Sequence, residues 1–143
     1  MEQVQALEPL WLDTCITSPK PPTAHEARVL TELGLEDVTV SRDYRSTFGR
    51  VHVGDVVCIR GDDADVRIGE VVLFVYRADT HESTVIMSMW LRDDAPSAGH
   101  TSRMFAACRG MEMHNVSLIE CALTYSRSAN DVALVLLPPK YRQ

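Results

Sequence analysis

Cysteine and histidine residues are the first places where this sequence could hold a metal ion. Cys108, His114 and Cys121 are separated by six and seven residues, whereas structural zinc sites use four ligands, usually in closely spaced pairs. The four cysteines include no CxxC pair, which argues against a zinc ribbon or a thioredoxin-like motif. We therefore expect two buried thiols and a surface imidazole at these positions, and no metal site.

Three aspartates in the segment after residue 61 suggest calcium coordination. Asp62, Asp63 and Asp65 begin a turn, but an EF-hand loop starting at Asp62 needs a glutamate at its twelfth position, where the sequence has Leu73. The pattern is more typical of a solvated acidic turn. Exposed carboxylates steer basic partners such as lysine-rich tails, so the three aspartates are candidate partner-binding residues.

The sequence lacks the common catalytic motifs. It contains no GxSxG, HExxH or Walker sequence, and its five histidines are scattered among predicted loops and a predicted helix. We therefore expect no enzymatic activity, no cofactor and no small-molecule substrate.

A basic segment with interleaved aromatic residues precedes the predicted sheet. Arg42, Arg45 and Arg50 alternate with Tyr44 and Phe48, and such a combination can contact phosphates and stack on bases. The net charge of −6 opposes strong phosphate binding. We favour a solvated linker whose aromatic side chains anchor it to the core. The alternative is a nucleic-acid-binding module with the three arginines as phosphate contacts.

The first secondary-structure element that the sequence predicts is a helix at about 24–33. Thr23 and Glu26 have the spacing of a capping box, and Gly34 suits the position after the last helical turn. Apolar residues at helical spacing form a stripe that needs the sheet as its partner: Val29, Leu30 and Leu33.

The strongest strand signals lie between residues 51 and 92. Three β-rich runs cover residues 51–60, 68–77 and 84–92. The first run alternates in hydrophobicity around Gly54, a predicted bulge, and the second is apolar almost throughout, as in a strand covered on both faces. Later runs predict further strands at 116–125 and 131–137. The whole pattern predicts a mainly β fold, a small and partly open antiparallel barrel with an SH3-like core and an N-terminal helix.

The order of these runs resembles the bromo-adjacent homology (BAH) domain. The resemblance covers about residues 48–139, and its pieces are GDVV at 54–57, IGEV at 68–71, WLR at 90–92, MF at 104–105 and SLIEC at 117–121. It implies a chromatin-associated module that docks histone tails, nucleosomes or partner subunits.

Some BAH domains bind methylated lysine in an aromatic cage, and the resemblance assigns cage positions to Arg67, Met89 and Leu91. A cation at Arg67 would repel methylammonium, and Met89 and Leu91 lack the ring quadrupole that attracts it. Trp90 would enter a cage only after a one-residue slip, which flips the faces of a strand; Tyr76 would supply another wall. We therefore expect docking without a complete cage, with these five as candidate partner-binding residues.

The predicted organisation is an N-terminal extension over 1–47, a BAH-like β domain over 48–139 and a tail over 140–143. We expect a nuclear protein whose partners are other proteins. Membrane association is not expected, because no apolar run approaches the roughly 18 residues of a membrane span. A complex-assembly subunit unrelated to chromatin is a further alternative.

Overall fold

A computed structural model describes residues 15–61, 67–92, 102–106, 110–127 and 132–136. These residues form a mainly β fold with one α-helix and antiparallel strand pairs. In chain order the elements are β1 (Cys15–Ile16), α1 (Ala24–Glu32), β2 (Thr39–Ser41), β3 (Asp43–Ser46), β4 (Gly49–His52), β5 (Val56–Ile59), β6 (Arg67–Arg77), β7 (Glu82–Arg92), β8 (Ser102–Ala106), β9 (Met111–Asn115), a 3-10 turn (Val116–Leu118), β10 (Ile119–Ala122), β11 (Tyr125–Arg127) and β12 (Val132–Leu136).

The hairpin of β6 and β7 is the centre of the larger sheet. Its strands pair from Ile68 opposite Trp90 to Arg77 opposite Glu82. Two short strands, β5 and β2, share the outer edge of β6, and β9 and β8 share the outer edge of β7. The strands predicted at 68–77 and 84–92 are confirmed as β6 and β7. Both runs combine β-branched and aromatic residues, which suit a pleated, buried surface.

A β-bulge at Val72 divides β6 into two halves. Val71 lies opposite Met87 and Leu73 lies opposite Ile86, so Val72 is the extra residue. Because side chains alternate along a strand, the extra residue changes the parity of the faces. Val71 therefore joins Phe74 on one face of the sheet, and Leu73 packs on the other.

Three buried clusters share this hairpin. The first lies between the hairpin and the small sheet of β1, β3 and β4, and includes Tyr44, Val51, Phe74, Met87 and Met89. The second lies beneath the helix and includes Leu30, Val40, Leu73, Val75 and Ile86. The third lies at the other end of that face and consists of Val56, Ile68, Trp90 and Val135.

The predicted helix is confirmed, together with its capping box. The amide of Glu26 donates to Thr23 Oγ1 at 3.2 Å, and the amide of Thr23 donates to Glu26 Oε1 at 2.9 Å. Gly34 follows the last turn with φ 74°, a conformation that glycine adopts without steric cost. Leu30 is 3% exposed, so the apolar stripe packs on the sheet as expected.

Residues 43–52 form a hairpin, so the linker predicted over 42–50 is wrong. Tyr44 pairs with Val51 and Arg45 pairs with Arg50 across β3 and β4. Tyr44 is buried and tilted against Phe74, with ring centroids 5.7 Å apart, so it is the anchor that the pattern predicts. Phe48 is 44% exposed and does not anchor the segment.

The strand predicted over 51–60 is split into two strands of different sheets. At Gly54, with φ 96°, the chain turns from β4 into β5. The run predicted as a strand over 116–125 is likewise divided, into a 3-10 turn and two short strands. Among the described strands the larger sheet is an open path, from β10 through β5, β6, β7, β8 and β12 to β11, without a closed barrel. Within the described residues, no helix has the length and hydrophobicity needed to cross a bilayer.

Candidate partner-binding groove and basic hairpin

An open groove of about 340 Å³ lies between the start of α1 and the bulge of β6. We call it the apolar groove, and its lining residues are Thr23, His25, Glu26, Val29, Arg42, Val53, Val72 and Leu73. Val53 is 38% exposed, and Val72 is half-buried. Four of the eight lining residues are aliphatic and four are polar or charged, so the groove presents aliphatic side chains to solvent beside polar groups.

The polar end of the apolar groove is an ion pair on a helix cap. Glu26 is 7% exposed, its Oε1 accepts the amide of Thr23, and its Oε2 lies 3.8 Å from Arg42 Nε. The carboxylate is thus held by the capping box and by the guanidinium, which favours a structural role over that of a base. The side chain of Arg42 is 66% exposed and lies at the rim of the groove.

Backbone geometry explains why Val53 points outward. The amide of Gly54 donates to the carbonyl of Val71, and the amide of Val71 donates to the carbonyl of Asp55, both at 2.8 Å. The Asp55 side chain accepts the amide of His52 at 2.8 Å. These bonds tie the turn between β4 and β5 to β6, directly before the bulge, and Val53 and Val72 both line the groove.

The β3–β4 hairpin carries two of the three predicted phosphate contacts, and we call residues 43–52 the basic hairpin. Arg45 and Arg50 lie directly opposite each other, on the face away from Tyr44 and Val51. Like charges in this position are unfavourable for a sheet. The third arginine, Arg42, faces Glu26 instead, so the structure brings together only two of the three.

The aromatic candidates for a methyl-lysine cage lie on opposite faces of the sheet. Trp90 is 8% exposed and packs edge-to-face on Tyr125, with centroids 5.5 Å apart and an interplanar angle of 80°. Tyr76 packs against the first cluster, and its hydroxyl lies 3.1 Å from His81 Nδ1. Met89 is 8% exposed in that same first cluster. The two rings therefore do not converge on one site.

Arg67, at the start of β6, belongs to a polar group that it forms with two residues of β9. Its Nη2 lies 2.6 Å from Glu112 Oε1, and His114 Nε2 lies 2.9 Å from the same oxygen. The His114 side chain is only 15% exposed, so the expectation of a surface imidazole is wrong. Because side chains alternate along β9, the His114 side chain lies on the opposite face from Met113, which is the face that carries Arg67.

Most of the remaining candidates fall outside the described part of the chain. Asp62, Asp63 and Asp65 lie outside the described residues, as do Cys108 and the side chain of Leu91. Cys121 is half-buried and lies opposite the buried Cys58 in the register of β10 and β5, and both cysteines are free thiols. Among the described residues, histidine, cysteine and carboxylate side chains form no group of three suited to a metal ion.

Two residues of the apolar groove, Val53 and Val72, were not predicted to be exposed. Val53 resembles an inward residue of an alternating strand, and Val72 is one of many aliphatic residues in an apolar run. The only available signal for their exposure was Gly54, which marks the turn that separates Val53 from β5.

No protein-family model, no curated protein and no solved structure matches the chain. Function is therefore inferred from the geometry of the apolar groove and the basic hairpin.

Proposed function

We propose that this chain is a non-enzymatic, chromatin-associated protein-interaction module, and that the apolar groove docks a segment of a histone tail, a nucleosome protein or a partner subunit. The observation that carries the proposal is the groove itself. Val29, Val53 and Val72 give it aliphatic walls, and its volume of about 340 Å³ suits one or two side chains of an extended segment.

Charge favours a basic partner. Inside the groove, Glu26 and Arg42 offset each other, so the local site has little charge preference of its own. The net charge of −6 then attracts basic segments over a longer range. A partner with an apolar side chain between lysines or arginines, as in a histone tail, fits both features.

The positions of the BAH-like pieces support the proposal of a BAH-like, SH3-related fold, and the same resemblance is the ground for proposing a nuclear location. GDVV leads into β5, IGEV lies in β6, WLR ends β7 and SLIEC leads into β10. In the sheet these strands are consecutive neighbours in the order β10, β5, β6, β7. The fifth motif, MF, lies in β8, which pairs with β7, so all five motifs lie in or next to neighbouring strands of one sheet.

The module is proposed to bind its partner without reading a methyl mark. A methylammonium needs several ring faces around it, and here Trp90 packs on Tyr125 while Tyr76 lies on the opposite face. Methylated and unmethylated peptides are therefore expected to bind with equal affinity.

The test is a pull-down from nuclear extract, with purified nucleosomes and histone-tail peptides as controls, by the wild type and by two groove variants, Val53→Lys and Val72→Lys. Each variant places a positive charge in the aliphatic wall, which opposes burial of an apolar partner side chain and repels a basic partner. Thr80→Lys, in the exposed β6–β7 turn, is the matched control. Loss of capture in both groove variants but not in the control supports the proposal. Absence of any chromatin component, or equal capture by all three variants, contradicts it.

A nucleic-acid-binding role is the second candidate, and the basic hairpin favours it. Arg45 and Arg50 form a like-charged cross-strand pair, with the exposed Phe48 at the connecting turn. Guanidinium groups can contact phosphate, and the ring offers a stacking surface. If this role holds, Arg45→Gln together with Arg50→Gln reduces the dependence of log K on log salt by about 0.9 for each phosphate of duplex DNA that the variant no longer neutralises.

A further inference from the structure

β9 has an open edge within the described part of the chain. Its described partner is β7 alone, with Ser88 opposite Met111 and Thr84 opposite Asn115. Met111 and Met113 are 37% and 41% exposed. Proteins commonly protect such edges with lysine, proline or a bulge. β9, with the sequence MEMHN, has neither of those residues.

We propose that β9 is a homodimer interface, in which two copies of the chain pair antiparallel about a two-fold axis at Met113. The proposal is independent of the groove and goes beyond the proposed function. A two-fold interface requires a surface that is complementary to itself, and β9 meets this requirement in its hydrogen bonds, its polar face and its apolar face.

The backbone of β9 has the alternation needed for pairing at Met113. The amide of Met89 donates to the carbonyl of Gly110 at 3.1 Å, which makes these two residues a hydrogen-bonded pair. In an antiparallel ladder such pairs alternate. Glu112 and His114 therefore direct their backbone groups toward β7, and Met111, Met113 and Asn115 direct theirs toward the open edge. Met113 can thus bond to its own copy across the axis.

The polar face is self-complementary in this register. With Met113 on the axis, Glu112 lies opposite the partner's His114, and His114 lies opposite the partner's Glu112. These are non-hydrogen-bonded pairs, in which the side chains approach most closely. A carboxylate then meets an imidazole twice, beside the Glu112–His114 and Glu112–Arg67 contacts that each copy already contains. A shift of two residues in either direction breaks both new pairs.

The apolar face is self-complementary in the same register. Met113 lies opposite the partner's Met113, and Met111 lies diagonal to it, which is within reach of long side chains. Pairing would therefore cover the exposed thioethers of four methionines. Unbranched methionine side chains adapt readily to such a contact.

The test measures the oligomeric state by sedimentation velocity over a concentration series, for the wild type and for Met113→Lys and Met113→Glu. The wild type is expected to dimerise. Each variant alone is expected to be monomeric, because two like charges meet at the axis. An equimolar mixture of the two variants is expected to dimerise again, because lysine then faces glutamate. Val53→Lys, at a similarly exposed valine in the groove, is the control and should leave the dimer intact.

Thermal unfolding of each variant shows whether it folds, and the exposure of Met113 makes a large loss of stability unexpected. A wild type that stays monomeric overturns the proposal, as does a dimer that persists in both variants. Failure of the mixture to dimerise overturns the two-fold register at Met113. Hydrogen exchange of the β9 amides gives a further check. If these amides are protected only when another protein is added, β9 pairs with that protein and the homodimer proposal is wrong.

Discussion

Gly69 lies where β7 leaves no room for a side chain. A Cβ at this position would be 2.8 Å from Met87 Cε, 2.9 Å from the Ser88 carbonyl oxygen and 3.1 Å from Met89 Sδ. The methionine ends are flexible, but the Ser88 carbonyl belongs to the paired backbone. We therefore expect Gly69→Ala to lower the free energy of unfolding by about 1–3 kcal/mol, the usual cost of overpacking, as measured by urea denaturation.

Gly61 provides the matched control for this prediction. A Cβ there would meet only Arg67 Cδ and Cγ, at 3.6 and 3.9 Å, which are ordinary contact distances. Gly61→Ala is expected to change the free energy of unfolding by less than about 0.5 kcal/mol. Equal destabilisation by the two substitutions would show that the close approach of β7 is not the cause.

Thr23 is the second residue whose role is local and testable. Its side chain accepts the amide of Glu26 at the start of α1, so Thr23→Ala is expected to cost about 1 kcal/mol of stability. Thr31→Ala, near the other end of the helix, is the control. The Thr31 hydroxyl donates to the Ala27 carbonyl on an exposed surface, and alanine has the better helix propensity. That control should be neutral or slightly stabilising in thermal unfolding.

Among elements, β6 determines where the groove lies. Without the extra residue at Val72, one half of β6 would present its side chains to the wrong face. Val71 and Phe74 could not then share a cluster, and Val72 would not reach the groove.

Removal of Val72 tests this role of the bulge. Deletion of the residue is expected to destabilise the fold by more than about 4 kcal/mol, because one half of β6 must invert its faces. Val72→Ala keeps the bulge and shortens a half-buried side chain, so it should cost only about 1 kcal/mol. Near-ultraviolet circular dichroism would distinguish a native core in the substitution from its loss in the deletion.

The elements predicted from the sequence are those whose signals are local. Thr23, Glu26 and Gly34 define the helix within one short stretch, and the apolar runs define β6 and β7. The bulge was not predictable, since an extra residue inside a continuous apolar run changes no periodicity. The basic hairpin was missed because its inward residues, Tyr44 and Val51, are few and are separated by charged positions.

At the scale of the whole molecule, the three clusters are coupled through one strand. Ile68 belongs to the third cluster, Leu73 to the second and Phe74 to the first. Loss of any cluster therefore exposes residues of β6 that support the other two. This arrangement favours a single cooperative unfolding transition.

Leu30→Ala tests the coupling at a distance. The substitution empties a buried site beneath the helix and is expected to cost about 2–5 kcal/mol. Trp90 lies in a different cluster, and its fluorescence should nevertheless report the same shifted midpoint as far-ultraviolet circular dichroism. Trp11→Phe removes the other of the two tryptophans and isolates the Trp90 signal. Separate midpoints would show that the helix unfolds independently of the third cluster.

Surfaces were the least predictable level, because they depend on which elements meet. The groove joins Val29 of the helix, Val53 of a turn and Val72 of a bulge, and no sequence spacing relates these three. The separation of the aromatic cage candidates onto opposite faces of the sheet was equally hard to predict. Trp90 and Tyr76 lie on neighbouring strands, and only the pairing register shows that they occupy opposite faces.

The four methionines of β7 and β9 differ in their exposure to solvent. Met87 is fully buried and Met89 is 8% exposed, whereas Met111 and Met113 are 37% and 41% exposed on the neighbouring strand. Peroxide converts accessible thioethers to sulfoxides, so mild oxidation should modify Met111 and Met113 well before Met87. Peptide mass spectrometry can follow each site separately. The oxidation rates of two methionines therefore report on two parts of the structure. Slow oxidation of Met113 indicates that the β9 edge is covered, and slow oxidation of Met87 indicates that the core is intact.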